Sequence, residues 1–183
     1  MNIGIYPGSF DPITIGHVDI IKKALVICDK VYVIVSKNYS KNHMFSAKER
    51  SEITRVALNS IVVPKNKELY IVQYEGIISE FAKEVSANIM IRGIRNHVDL
   101  DYEQNIEQFT KETAGEIVTV YFSSEPEHIF TSSSLVRQFI STGNVNSIKK
   151  YVEAGSFNRI KNIVDNDSKF STSFPNEKQI ERV

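Results

Sequence analysis

Four clusters of polar residues carry the chemistry this sequence offers. The first is Gly8-Ser9-Phe10-Asp11-Pro12 followed by Thr14-Ile15-Gly16-His17. Its two glycines permit close backbone approach, and His17 falls where a helix opens, so that free amides and the helix dipole favour a phosphate. A histidine at a helix start serves equally well as a cap or packing residue. The second cluster, Lys37, Lys41, His43, Lys48 and Arg50, is a basic neighbourhood or simply a solvated loop. The third is Arg92-Gly93-Ile94-Arg95, two guanidinium forks that match phosphate oxygens or, alternatively, pair with Asp99 or Asp101. The fourth, Ser132-Ser133-Ser134, reads as hydroxyls for a ligand or as a capping run.

The elements that must position these clusters follow from hydrophobic periodicity. Residues 2–6 form a short apolar strand, and Val18, Ile21, Ala24, Leu25 and Cys28 then recur at helical spacing. Lys30–Ser36 is β-branched and nearly continuously apolar, as a strand buried on both faces of a parallel sheet must be. Ser46 with Glu49 predicts a capping box, and Ile53, Val56 and Ala57 give the following helix its apolar face. A third strand is expected at residues 69–74, then a helix burying Ile77, Ile78, Phe81, Ala82 and Val85, and a fourth strand at residues 89–91 ending at Arg92. A helix from about Asp99 turns Tyr102, Ile106 and Phe109 inward and stops near Gly115. A fifth strand follows at residues 116–122. A helix opening in the serine run ends near Gly143, and a last helical stretch covers residues 157–164.

Five strands alternating with helices predict an α/β single-domain chain: a doubly wound, Rossmann-like five-stranded parallel sheet with helices on both faces. The domain is expected over residues 1–165. Residues 166–183, with only Phe170, Phe174, Ile180 and Val183 as apolar side chains, are expected to be a loosely held polar tail. On this topology all four clusters fall on the rim formed by the carboxyl ends of the strands, where ligands of open α/β sheets collect. Together they suit a polyphosphate. No Walker-type glycine loop is present, which disfavours a P-loop ATPase.

Composition limits the rest. The 183 residues hold 22 Lys plus Arg and 22 Asp plus Glu, so the chain has no overall field to attract nucleic acid or a membrane. The single cysteine, Cys28, cannot form an intrachain disulfide. No apolar run approaches the roughly 20 residues that span a bilayer, so a cytoplasmic setting is expected. No carboxylate cluster with the spacing of a dedicated metal cage is visible.

The residues just described resemble the phosphopantetheine adenylyltransferases of bacterial coenzyme A synthesis. The resemblance runs from Ile3 to about Ile140, through Tyr6 to Pro12, Thr14 to His17, Met44-Phe45, Ile91 to Arg95, Asp101-Tyr102-Glu103 and Ser132 to Val136. Thr-x-Gly-His and Ser-Ser-Ser-x-x-Arg mark the wider nucleotidyltransferase superfamily, and Ile-Arg-Gly-Ile-Arg followed by Asp-Tyr-Glu narrows it. The resemblance implies transfer of an adenylyl group from ATP to 4'-phosphopantetheine, giving dephospho-coenzyme A and pyrophosphate without a covalent enzyme intermediate. It implies ATP contacts at Ser9, Phe10, His17, Gly93, Ile94, Arg95, Glu103, His128, Ile129, Phe130, Thr131, Ser132, Ser133 and Ser134. Phosphopantetheine contacts are implied at Ser9, Lys41, Ile78 and Arg92. His17, Lys41 and Arg92 are then the catalytic set, with Mg2+ accompanying ATP. A homohexamer and feedback inhibition by coenzyme A are further implications.

This sequence departs from the family pattern at Ser9, where Thr is common, at Ile15, where Asn is common, and at Asn42-His43, where a second lysine and a proline usually follow Lys41. Beyond Gly143 the resemblance fades. Competing readings are a nucleotidyltransferase for another phosphorylated acceptor, such as nicotinate mononucleotide or glycerol phosphate, and a silent nucleotide sensor. A fragment of a class I aminoacyl-tRNA synthetase fails on length.

Overall fold

A computed structural model describes residues 1–36, 42–95, 100 and 117–170 of the chain. Its strands are β1 (Ile3–Gly8), β2 (Lys30–Ser36), β3 (Glu68–Tyr74), β4 (Ile89–Ile94) and β5 (Val118–Ser123). They form one sheet in the order β3-β2-β1-β4-β5, every pair parallel. The helices are α1 (Ile15–Ile27), α2 (Ala47–Leu58), α3 (Ile78–Glu84), α4 (Ser133–Ser141) and α5 (Ala154–Asn166). The expected doubly wound, Rossmann-like parallel sheet is therefore present. The helix expected from about Asp99, together with Lys37, Lys41, Asp101, Tyr102 and Glu103, lies outside the described residues.

The two-residue period of the strands divides the core. Tyr6, Val33, Val35 and Ile91 pack with Val18, Ile21 and Ala24 of α1, Ile53 and Ala57 of α2, Ile140 of α4 and Ile160 of α5. Their neighbours Ile5, Ile34 and Met90 face the other way, onto Phe81 and Ala82 of α3. In β2, Val31, Val33, Ile34 and Val35 are all essentially inaccessible, as the continuous apolar run required.

Several boundaries differ from the sequence reading. β1 continues through Pro7 and Gly8. Its pairing with β4 reaches only Gly4 and Ile5, so past Tyr6 the strand is bonded on one side and tolerates a residue with no N–H. β4 runs on to Ile94 because β5 supplies partners as far as Ser123: Arg92 faces Tyr121 and Gly93 faces Phe122. Ile77 is 54% exposed, since it caps α3 in an extended conformation instead of joining its apolar face. Gly143 does take the left-handed conformation after α4, with φ 74°.

α5 is longer than its periodic core. It is pinned to α2 by the Ser156 hydroxyl, which donates to the Ile53 carbonyl at 2.9 Å, and by the ion pair of Arg159 with Glu52. Ahead of it lies a 3-10 segment, Val145–Lys150, that buries Ile148 and had no periodic signature. Within the segment expected as a tail, residues 168–170 form a turn whose Phe170 packs on the core, and residues 171–183 lie outside the described residues.

Candidate active site

The carboxyl ends of β1 and β4 and the first turns of α1 and α4 surround a cavity of about 750 Å³. β1 delivers the chain into it at Gly8. A Cβ on Gly8 would lie 2.8 Å from the Phe10 ring, so the ring folds back over a position that only glycine leaves open. Phe10 itself has φ 43°, a left-handed conformation that is costly for an aromatic residue and holds only where the surroundings enforce it. They do so here: Phe10 is 2% exposed and meets Tyr6 and His17 edge-on, at centroid distances of 5.4 and 5.2 Å.

The loop from Ser9 to Thr14 is fastened on every side. The buried Asp11 carboxylate accepts the backbone N–H groups of Met44, at 2.9 Å, and Phe45, at 3.0 Å. Arg137 on α4 donates through Nη1 to the Asp11 carbonyl at 2.6 Å and through Nη2 to the Ser134 hydroxyl at 3.1 Å. The Ser133 hydroxyl donates to the Pro12 carbonyl at 2.8 Å. From behind, the buried Arg50 donates to the carbonyls of Ser9 and of Ser36, the latter at 2.8 Å. Burial lowers the Arg50 pKa, an effect that Asp11 and Glu75 oppose. Arg50 is thus a clip between the first loop and β2, a correction to its place in the basic neighbourhood, and Lys48 is exposed on α2 away from the cavity.

His17 occupies the third position of α1. The Thr14 backbone N–H donates to its Nδ1 at 3.0 Å, and the Thr14 hydroxyl lies 2.9 Å from the same nitrogen. A ring nitrogen that accepts from a backbone N–H carries no proton, so the proton of the neutral ring is on Nε2. Burial, aided by the Arg95 cation, lowers the His17 pKa from 6.5 to about 4, which keeps the imidazole neutral. The residue is therefore both the cap that a helix-start histidine suggests and a donor fixed at the cavity wall.

Of the residues singled out in the sequence, Ser9, Phe10, His17, Ile78, Arg92, Gly93, Arg95, Thr131, Ser132, Ser133 and Ser134 line this one cavity, as does His43. Arg92 lies within β4 and Arg95 just beyond it. Ser132 is the cap of α4, its hydroxyl accepting the Leu135 N–H at 3.1 Å, so the capping reading of the serine run holds alongside its place at the cavity. Ile94 does not line the cavity, and neither do His128, Ile129 and Phe130, which sit on the turn before α4. Phe130 is 83% exposed there. Lys41 and Glu103 lie outside the described residues. Sequence reasoning gave no role to Asp11 or Arg137. The Ser-Ser-Ser-x-x-Arg spacing was the available signal for Arg137, whereas nothing in residue type distinguished Asp11 from an ordinary loop acid.

Among the described residues no group of three His, Cys, Asp or Glu side chains is placed to hold a metal ion. Of the described carboxylates only Asp11 lines the cavity, and both its oxygens are taken by backbone N–H groups. Among the described residues no helix is long and apolar enough to cross a membrane.

A family profile described as cytidylyltransferase-like matches residues 5–139. The phosphopantetheine adenylyltransferase of Lachnoclostridium phytofermentans is 39% identical over 143 residues, covering 78% of this chain and 85% of the relative. That of Lactobacillus acidophilus is 40% identical over 142 residues, covering 75% and 83%. That of Thermotoga neapolitana is 37% identical over 141 residues, covering 77% and 84%. Among solved structures, Plasmodium falciparum nicotinic acid mononucleotide adenylyltransferase complexed with NaAD superposes with a TM-score of 0.66 at 17% identity, over 94% of this chain and 98% of that one. A bifunctional NMN adenylyltransferase/ADP ribose pyrophosphatase from Francisella tularensis, complexed with AMP and a Mn ion, gives 0.66 at 15% identity, over 91% of this chain and 50% of that one. At these identities the solved structures speak to the fold. The chain is an enzyme of the nucleotidyltransferase class and belongs to the phosphopantetheine adenylyltransferase family.

Proposed function

We propose that this chain transfers the adenylyl group of ATP to 4'-phosphopantetheine, yielding dephospho-coenzyme A and pyrophosphate. An oxygen of the acceptor phosphate bonds to the α-phosphorus of ATP while the bond from that phosphorus to the pyrophosphate oxygen breaks, in line and with no bond to the protein. Such a reaction brings two anions together and asks the protein for placement and charge neutralisation, not for a nucleophile.

The observation that carries this reading is the His17 side chain, held neutral with its Nδ1 committed to Thr14 so that Nε2–H is the group left for the α-phosphate. The donor is in place before charge builds, which is where preorganised electrostatics contributes most. A sensor would need the affinity and not this transition-state donor. Arg92 and Lys41 take the acceptor phosphate, with Ser9 and Ile78 along the pantetheine. Arg95 and the α4 start at Ser132, Ser133 and Ser134 take the departing pyrophosphate. Phe10, Gly93, Glu103 and Thr131 complete the ATP site, and the family's contacts at Ile94, His128, Ile129 and Phe130 fall on residues that adjoin the cavity lining in sequence. Mg2+ enters as part of the ATP substrate, consistent with the lack of an uncommitted carboxylate among the described residues that line the cavity.

Residues 1–165 form the catalytic domain of this scheme, with 166–183 as an appendage. A cytoplasmic homohexamer inhibited by coenzyme A is the setting the family suggests. The test is to incubate the chain with ATP, Mg2+ and a panel of phosphorylated acceptors and follow pyrophosphate release. Release with 4'-phosphopantetheine is expected, and silence with that acceptor, or equal release with nicotinate mononucleotide, overturns the proposal.

A further inference from the structure

The turn that follows α5 lies against the loop leading into α2. Asp167 organises this turn: its carboxylate accepts the Lys169 N–H at 2.9 Å and pairs with the Lys169 ammonium at 2.8 Å, while its carbonyl accepts the Phe170 N–H at 3.0 Å. Phe170 then meets the Phe45 ring at a centroid distance of 5.9 Å. Lys169 reaches Glu49 at 3.4 Å. Glu49 is the residue whose carboxylate accepts the Ser46 N–H at 2.7 Å.

Phe45 is therefore held from two directions. Its N–H, with that of Met44, is bound to Asp11 on the cavity side, and its fully buried ring is covered by Phe170 on the other. A second cavity of about 410 Å³ lies behind the same loop, lined by His43, Phe45, Arg50, Glu75 and Lys169 among others. Among the described residues, His43 lines both cavities.

We propose that residues 168–170 are a strap that positions the acceptor loop, residues 42–46, with Phe170 and Lys169 as positioning residues for the phosphorylated acceptor. The inference rests on the proposed function, which puts Lys41, the residue immediately before this loop, on the acceptor phosphate. α5 gives the strap a fixed origin through Ser156 and Arg159. The strap's own contacts are to Phe45 and Glu49 and not to His17, Arg95 or the α4 start, so its loss bears first on acceptor binding and only through Asp11 on the first loop.

Phe170→Ala, with Phe170→Leu as the conservative partner, tests this by two readouts on the full chain. Amide hydrogen exchange at Met44 and Phe45 is expected to accelerate about tenfold in Phe170→Ala and to return toward the parent in Phe170→Leu. The KM for 4'-phosphopantetheine is expected to rise about fivefold, with smaller changes in kcat and in the KM for ATP. Unchanged exchange overturns the strap. An unchanged acceptor KM, or a KM for ATP that rises in step, overturns its role in acceptor placement. A parent chain that fails to turn over 4'-phosphopantetheine strikes the proposed function instead, and the exchange readout still decides whether the strap holds the loop.

Discussion

Helices α1 and α2 open in the same way and end up doing different work. In each, the side chain at the third position reaches back to the N–H of the capping residue: His17 to Thr14 at 3.0 Å in α1, Glu49 to Ser46 at 2.7 Å in α2. Both side chains also have lowered pKa values, with opposite consequences. Burial raises the Glu49 carboxyl, but the Ser46 N–H and hydroxyl and then Lys169 outweigh it, so the cap of α2 is anionic. Burial and Arg95 lower His17 to about 4, so the cap of α1 is neutral. An anionic cap cancels the positive end of the helix dipole, whereas a neutral one leaves it available to a phosphate and adds a second ring nitrogen as donor.

His17→Ala removes cap and donor together, and is expected to cost about 3 to 4 kcal/mol of transition-state stabilisation, a fall in kcat of roughly a hundred- to thousandfold. His17→Glu converts α1 into the α2 type, a Thr-x-x-Glu capping box. Thermal unfolding should then stay close to the parent while activity falls at least as far as in His17→Ala, because a carboxylate faces the α-phosphate. Comparable activity in that variant would break the comparison. Arg92→Ala is expected to raise the KM for 4'-phosphopantetheine by about ten- to a hundredfold, the range for a lost charged hydrogen bond, with a smaller effect on ATP. Steady-state kinetics in both substrates read this directly, and an effect confined to ATP would reverse the division of roles.

On the α2 side, Glu49→Ala should lose about 1 kcal/mol of stability with kcat unchanged, measured by denaturant unfolding and turnover. A further effect is in pH. Because the folded pKa of His17 lies below its unfolded value of 6.5, the unfolded chain takes up that proton first as pH falls. The contribution is complete above 6.5 and is lost progressively down to about 4. The slope of Tm against pH across that window should be shallower in His17→Ala.

How much of this was legible from sequence follows the same division. The apolar run of β2 and the Ser46–Glu49 box announced their structures because local pattern decides them. β4 was read three residues short, at Ile91, because its last pairs depend on how far β5 extends, which is a tertiary fact. His17 was visible as a candidate, yet whether it capped or contacted a ligand was open, since one spacing serves both; the structure shows the cap at Nδ1, and the proposed ligand contact falls to Nε2. Arg50 counted only as one member of a basic neighbourhood because residue type does not reveal that its Nη1 donates to the Ser9 and Ser36 carbonyls. Asp11 stood in the first cluster without a role of its own because its partners, the amides of Met44 and Phe45, lie over 30 residues away.

His17 caps α1 through Nδ1 and presents a protonated Nε2 to the cavity. Nitrogen-15 NMR of the His17 ring, followed from about pH 8 to about pH 3, tests it without any substrate. A neutral ring with the proton on Nε2 that titrates only near pH 4 is expected. A proton on Nδ1, or titration near 6.5, would contradict it.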